Sequence, residues 1–153
     1  MLGLLITSEA SAQTTTTTGT MSVSTSVASA CTISAGAMTF AAYTGTLITA
    51  TSALSVNCTN GTTFTISFND SPEASPAYYL VRSDGTSATE SDRINVTFTN
   101  TGGATMTKGA ATITGTGTGS SAAAGTITGS IAASQTGKTA GSYSKTMTLN
   151  LVY

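Results

Sequence analysis

The chain of 153 residues has no histidine and no tryptophan, two prolines, two cysteines and only 11 charged residues, five basic and six acidic. Without histidine it cannot carry a Ser-His-Asp or Cys-His catalytic arrangement, a histidine metal ligand or an imidazole pH switch. Five scattered basic residues and a net charge of −1 exclude the dense positive surface that binds nucleic-acid phosphates. The sequence therefore predicts no catalytic residue, no metal site, no cofactor and no nucleic-acid partner.

Small residues dominate what is present. The chain has 35 Thr, 21 Ser, 22 Ala and 16 Gly, together 94 of the 153 positions. The composition is nevertheless 39% hydrophobic and 7% charged, whereas disordered chains are poor in apolar residues and rich in charge. Thr, Val, Ile, Phe and Tyr favour strands. The length and composition predict one secreted all-β domain.

The first residues are typical of an export signal. Residues 1–6 form a short apolar run, and Ala10-Ser11-Ala12 before Gln13 matches a signal-peptidase site. We therefore predict a signal peptide at residues 1–12, whose shortness and lack of an early Lys or Arg are typical of a truncated start. A disordered apolar terminus with a chance cleavage motif is the alternative. The run is too short to span a bilayer, so the mature form is expected to have no membrane span.

Cys31 and Cys58 are the only cysteines and form the only possible pair. In an exported protein such a pair favours a disulfide. Two buried free thiols are the alternative, and two cysteines without histidine are a poor zinc site.

Alternating apolar and polar residues predict several short strands with turns between them, as in a β-sandwich. Asn60-Gly61 is a strong turn signal and predicts a hairpin between strands 52–58 and 62–68. Further strands are predicted at 21–31, 38–43, 78–82, 94–98 and 122–131. Residues 115–121 are predicted to be a loop. The last strand presents one apolar face, formed by Tyr143, Met147, Leu149, Leu151 and Tyr153.

Five stretches of the sequence match a known family. They are residues 27–33 (VASACTI), 38–45 (MTFAAYTG), 54–62 (LSVNCTNGT), 65–69 (TISFN) and 140–153 (AGSYSKTMTLNLVY). Over roughly residues 14–153 the chain resembles the spore coat protein U domain family, which includes the major pilins of archaic chaperone–usher pili. Residues 82–121 depart most from the family, because its Trp-Gly there is absent.

The resemblance implies an immunoglobulin-like β-sandwich that lacks its last strand and leaves an apolar groove open. It implies that a periplasmic chaperone fills the groove first, and that the N-terminal segment of the next subunit replaces it at an outer-membrane usher. The expected domains are a leader and donor strand at 13–29 and a pilin-type sandwich at 30–153. The expected donor side chains are Met21, Val23, Thr25 and Val27. The expected groove residues are Tyr143, Met147, Leu149, Leu151 and Tyr153.

The expected function is thus a structural subunit of an extracellular pilus, a homopolymer that serves surface adhesion and biofilm formation. The alternative for residues 20–33 is an ordinary first strand of a self-contained sandwich. A spore or cyst coat protein of the same family and a self-contained surface-binding module are competing functions, and an enzyme is the weakest competitor. The loop carboxylates, Asp70 and Glu73 among them, are interpreted as solvated charge rather than a calcium site. Lys138 and Lys145 are interpreted as solubility and edge charges.

Overall fold

The computed structural model describes residues 12–153, so the predicted signal peptide falls outside the described residues except for Ala12. Nine β-strands follow one another along this part of the chain, with a single turn of 3-10 helix at Glu90–Asp92. The strands are β1 (Cys31–Ala35), β2 (Ile48–Cys58), β3 (Thr63–Phe68), β4 (Tyr78–Arg82), β5 (Arg93–Thr99), β6 (Ile113–Thr116), β7 (Ser121–Ile131), β8 (Tyr143–Ser144) and β9 (Leu149–Val152). The all-β prediction is confirmed.

The strands form two antiparallel sheets. One sheet has six strands in the order β1-β2-β7-β5-β4-β8, and the other has three in the order β6-β3-β9. The two sheets face each other because alternate residues of each strand are apolar and must be buried. The core between them contains Leu54, Val56, Cys58, Phe64, Ile66, Phe68, Tyr78, Ile94, Val96, Phe98, Met106, Ile113, Ile127 and Ile131.

Three aromatic rings form the centre of this core. Phe68, Tyr78 and Phe98 contact one another with ring centroids 5.4–5.7 Å apart. Phe68 comes from the three-stranded sheet, whereas Tyr78 and Phe98 come from the six-stranded one. Tilted and edge-on packing of this kind stabilises aromatic pairs beyond the area they bury. The cluster therefore ties the two sheets together.

The predicted hairpin is wrong. β2 and β3 do not pair with each other, since β2 pairs with β1 and β7 while β3 pairs with β6 and β9. The Asn60-Gly61 turn reverses the chain, as predicted, but carries it from one sheet to the other. The apolar faces of both strands then meet across the core instead of side by side.

Four other predictions need correction. The alternation from Met21 to Cys31 predicts one long strand, but the strand in this region is Cys31–Ala35. Residues 38–43 are also predicted to be a strand. They pair with no strand, although Met38, Phe40 and Tyr43 pack on the core. Residues 115–121 are predicted to be a loop, but Gly115 and Thr116 belong to β6, which pairs with β3, and Ser121 begins β7. The predicted single last strand divides into β8, which pairs with β4, and β9, which pairs with β3.

Candidate functional site

β9 lies at the edge of its sheet, with β3 on one side only. One residue beyond this ladder, the Asn69 N–H donates to the Thr148 carbonyl at 2.9 Å. Antiparallel pairs alternate between residues that exchange hydrogen bonds and residues whose backbone points away from the partner. By this alternation the N–H and C=O groups of Leu149 and Leu151 point away from β3. They form an open strand edge to which a further strand can be added.

An apolar cleft runs beside this edge. A cavity of about 210 Å³ lies between Met38 and Phe40 on one side and Met147 and Leu149 on the other. Its floor is formed by core side chains of both sheets, including Leu54, Phe68, Phe98 and Ile127. Apart from Ser52 and Lys145, the side chains that line this smaller cavity are apolar. A peptide with apolar side chains at alternate positions therefore fits its chemistry.

A second, larger cavity of about 740 Å³ continues the cleft toward Tyr143. It lies between residues 38–43 and 138–145, over a floor of Ile48, Leu80, Ile94 and Ile131. Met38, Phe40, Leu80 and Lys145 line both cavities. The two cavities therefore form one groove, which we call the acceptor groove, between residues 35–43 and 143–149.

The two sides of the acceptor groove run in opposite directions. Residues 35–40 lie with Met147 and Leu149 in the smaller cavity, whereas residues 38–43 lie with 138–145 in the larger one. One side thus ascends in sequence while the other descends. A strand placed in the groove must be parallel to one side and antiparallel to the other.

Of the expected groove residues, the structure brings three to the acceptor groove. Tyr143 and Met147 are half-buried and line it, as does Leu149 at the start of β9. Leu151 is half-buried and packs against the core, and Tyr153 is 58% exposed. Leu151 and Tyr153 line neither cavity and come after Leu149 along the same strand edge.

The expected donor side chains line neither cavity of their own subunit. Residues 12–29 form no strand and are exposed, with Met21, Val23 and Val27 exposed by 82–85%. The contacts of this segment with the rest of the domain begin at Ala28, whose carbonyl accepts a hydrogen bond from the Thr59 hydroxyl at 3.3 Å. The Ala30 N–H then donates to the Thr59 hydroxyl at 3.1 Å. Residues 12–27, the described part of the chain before Ala28, are exposed and form no hydrogen bond with their own domain.

Cys31 and Cys58 form a disulfide, which confirms that prediction. They are directly opposite each other in the β1–β2 ladder. The bond fixes the point where the exposed N-terminal segment joins the sandwich.

The sequence interpretation missed a contact at the groove. Lys145 donates a hydrogen bond to Glu73, and its side chain is 18% exposed. Asp70, from the same loop, accepts the N–H of Thr148. Lys145 follows the inward alternation of Tyr143 and Met147, and this position could have shown that it faces the groove rather than the solvent.

The Lys145 contact also affects ionisation. Burial raises the pKa of Glu73, but the hydrogen bond from Lys145 and a further one from the Tyr79 N–H outweigh this effect. The pKa of Glu73 therefore lies below its ordinary value of 4.5. Within residues 12–153, no three His, Cys, Asp or Glu side chains gather into a metal-binding group. No helix in that same range has the length and apolar character needed to cross a membrane.

Comparison with known proteins gives a family match over most of the chain. The profile described as the Spore Coat Protein U domain matches residues 17–150. Among curated proteins, none matches significantly.

Two solved structures resemble the fold. One is the CsuC–CsuE chaperone–tip adhesion subunit pre-assembly complex from archaic chaperone–usher Csu pili of Acinetobacter baumannii, with 16% identity, a TM-score of 0.57, and coverage of 83% of this chain and 40% of that one. The other is a chaperone–tip adhesin complex of CFA/I fimbriae biogenesis, with 13% identity, a TM-score of 0.42, and coverage of 78% and 40%. The chain thus spans about two fifths of the chains it matches. At 16% identity the first likeness shows a shared immunoglobulin-like fold, and the second adds nothing to it.

Proposed function

The chain belongs to the Spore Coat Protein U domain family, and from this premise we propose that it is a structural subunit of an extracellular pilus assembled by donor-strand complementation. Residues 20–27, which we call the donor segment, enter the acceptor groove of an identical subunit. The domain boundaries follow from this role: 13–29 is the leader with the donor segment, and 30–153 is the pilin-type sandwich. The subunit is structural and catalyses no reaction.

One observation carries the proposal. The same chain presents an open apolar groove with a free strand edge, and an exposed segment whose apolar residues alternate. An added strand would bond to outward-pointing backbone groups of the β9 edge, such as those of Leu149, while its alternate side chains fill the groove. Burying Met21, Val23 and Val27 would contribute roughly 5–9 kcal/mol before the cost of ordering the segment.

The partners and the location follow from the same groove. An apolar groove of this kind is a site for aggregation unless it is covered. We therefore propose that a periplasmic chaperone covers it before assembly, that an outer-membrane usher orders the exchange, and that the product is a homopolymer on the cell surface. Surface adhesion and biofilm formation are the roles proposed for this fibre.

The family's name favours a second candidate, a spore or cyst coat protein built by the same strand exchange. The two candidates share the groove and the donor segment and differ in where the polymer is deposited. Imaging the polymer, on the surface of growing cells or in the coat of dormant ones, distinguishes them.

The test places one charge in the donor segment. Val23→Asp puts a carboxylate among the side chains that enter the groove, whereas Ser24→Asp puts it on the opposite face of the same segment. Both residues are exposed in the single subunit, so neither change affects its folding. The full chain is exported together with an archaic-type chaperone and usher, and fibres are scored by electron microscopy and by polymer ladders on gels.

Wild type and Ser24→Asp are expected to form fibres, and Val23→Asp is expected to yield monomers or chaperone-bound subunits. Fibres from Val23→Asp in wild-type amounts would overturn the proposal. A wild-type chain that stays monomeric would overturn it as well.

A further inference from the structure

Lys145 is the one charged side chain that lines both cavities of the acceptor groove, whereas Lys138 lines the larger cavity alone. Lys145 lies between Tyr143 and Met147 on the same side of the groove. Among residues 12–153, its ammonium has a single hydrogen-bond acceptor, the Glu73 carboxylate. An ammonium group carries three donors, so two remain for a molecule that enters the groove. Leaving a cation beneath a purely apolar strand costs free energy, and a hydrogen-bond acceptor at that level removes the cost.

The donor segment carries one matching group. Its inward-facing alternation is Met21, Val23, Thr25 and Val27, and residues 12–30 contain no charged side chain. Thr25 is the one polar member of this set, and its hydroxyl can accept a hydrogen bond from an ammonium.

We propose that the donor segment of a second subunit lies antiparallel to β9 with Thr25 opposite Lys145, and that this polar contact fixes the register of the inserted strand. The inference rests on the proposed function. In this register Val23 is opposite Met147 and Met21 is opposite Leu149, both in the smaller cavity. Val27 is opposite Tyr143 in the larger one.

The parallel placement is poorer. If the segment ran parallel to β9 with Thr25 opposite Lys145, Val27 would be opposite Met147. Ser29 would then be opposite Leu149. A small hydroxyl side chain then covers Leu149 in place of an apolar one. The residues on both sides of Ser29 are, in addition, already bonded to Thr59 of their own subunit.

A shifted antiparallel register is poorer as well. A slip of two residues in either direction puts a valine, Val23 or Val27, over the Lys145 ammonium in place of Thr25. The cation then has no side-chain acceptor among the inward-facing residues of the inserted strand.

Cysteine pairs on the outward face measure the register without changing the groove. In the proposed register Ser24 lies opposite Thr146, and both are exposed in the single subunit. Directly opposite β-carbons lie close enough for a disulfide, whereas diagonal ones about 7–8 Å apart do not. Three double variants of the full chain are compared: Ser24→Cys, Ser22→Cys or Ser26→Cys, each combined with Thr146→Cys. Assembled fibres are oxidised, and covalent dimers are measured on non-reducing gels.

The Ser24→Cys pair is expected to give about tenfold more covalent dimer than either neighbour, the preference that one hydrogen bond to a charged group supplies. Dominance of the Ser22→Cys or Ser26→Cys pair in normal fibres overturns the register but leaves the proposed function intact. Fibres in which no pair cross-links overturn the register too. Failure of the wild type to form fibres instead overturns the proposed function, and the register with it.

The role of the polar contact is tested by Thr25→Val, with Thr25→Ser as the conservative control. We expect Thr25→Val to lower the preference for the Ser24→Cys pair about tenfold. We expect Thr25→Ser to keep that preference, because serine retains the hydroxyl. In a Lys145→Met background, Thr25→Val should change nothing further, because the cation that penalises a valine is gone. An unchanged cross-linking ratio for Thr25→Val with Lys145 present overturns the proposal that this contact fixes the register.

Discussion

The side-chain amide of Gln135 forms two hydrogen bonds with the backbone of Asn95, accepting from its N–H at 2.7 Å and donating to its carbonyl at 2.8 Å. β5 pairs with β7 through Thr97–Thr99, and β7 ends at Ile131. Beyond that point the Gln135 side chain takes the place of the missing strand residue. The Gln135 N–H in turn donates to the hydroxyl of Tyr43, on one side of the acceptor groove.

We expect Gln135→Ala to lower the free energy of unfolding by about 1–3 kcal/mol, because both backbone groups of Asn95 lose their partner. Thr136→Ala, at an exposed neighbouring position, should leave it unchanged. Urea denaturation of the two variants measures the difference. Equal stability of both variants would show that water replaces the amide without cost.

Replacing both Cys31 and Cys58 with alanine should lower the free energy of unfolding by roughly 3–4 kcal/mol, the chain-entropy value for the loop they close. The sequence separation of that loop is 27 residues. Since β1 pairs only with β2, its amides should also exchange faster than those of β7. Denaturation and hydrogen exchange measure the two effects. The reduced wild type is the control, and it should match the variant; if it keeps the stability of the oxidised protein, the disulfide contributes little.

How far the sequence predicts this fold depends on the range of each interaction. The alternation of Phe64, Ile66 and Phe68 shows a buried face because it reflects neighbours along one strand. The Asn60-Gly61 turn shows that the chain reverses direction. It does not show whether the two strands pair side by side or face each other across the core, because this depends on which strands arrive from elsewhere in the sequence.

In the candidate site too, the sequence predicts the features that depend on neighbours along one strand and misses those that depend on distant residues. Alternation predicted an extended segment over Met21–Val27 and the inward face of the last strand, whereas the donor role of that segment was implied by the family resemblance. The interruption between β8 and β9 was not predictable, because Asp70 and Glu73, more than 70 residues earlier in the chain, hold this segment through Thr148 and Lys145. Local patterns contain no information on contacts made over such separations.

Gly117 should tolerate no side chain. A β-carbon there would lie 2.5 Å from the Cys58 β-carbon and 2.5 Å from the Thr59 carbonyl oxygen, and neither atom belongs to a flexible side-chain end. We expect Gly117→Ala to lower the free energy of unfolding by about 1–3 kcal/mol through overpacking. Gly19→Ala is the matched control, since nothing lies within 4 Å of its β-carbon position. Thermal denaturation compares them, and a Gly117→Ala variant as stable as Gly19→Ala would contradict the packing.

Acid should weaken the contact between Glu73 and Lys145. The pKa of Glu73 is lower in the folded state than its ordinary value of 4.5, so the unfolded chain binds the proton first as the pH falls. The stabilisation is therefore complete above about pH 4.5 and is lost as the pH falls through the folded-state pKa.

Thermal unfolding of wild type and Glu73→Gln between pH 7 and pH 3 tests this dependence. Wild type should have the higher Tm at pH 7, and the difference should shrink in acid. Ser71→Ala, in the same loop, is the control and should follow the wild-type profile. A constant difference between wild type and Glu73→Gln at all pH values would show that the carboxylate contributes through packing and not through charge.

Joining the donor segment to its own groove should convert the chain into a closed monomer. We expect a copy of residues 20–27, fused after Tyr153 through a linker of about six residues, to raise the Tm by about 10 °C or more and to abolish polymers. The same tail with serine in place of the copies of Met21, Val23 and Val27 should do neither. Calorimetry and size-exclusion chromatography measure the two effects.

The length of that linker also tests the direction of insertion. In the antiparallel register the tail begins opposite Asn150, so a short turn after Tyr153 suffices. In the parallel direction the tail would begin opposite Ala140, about 43 Å away along the strand, whereas a six-residue linker spans at most about 21 Å. Stabilisation by the short linker therefore requires antiparallel insertion. A tail that stabilises only with a linker of about 15 residues would instead show that the segment enters parallel to β9.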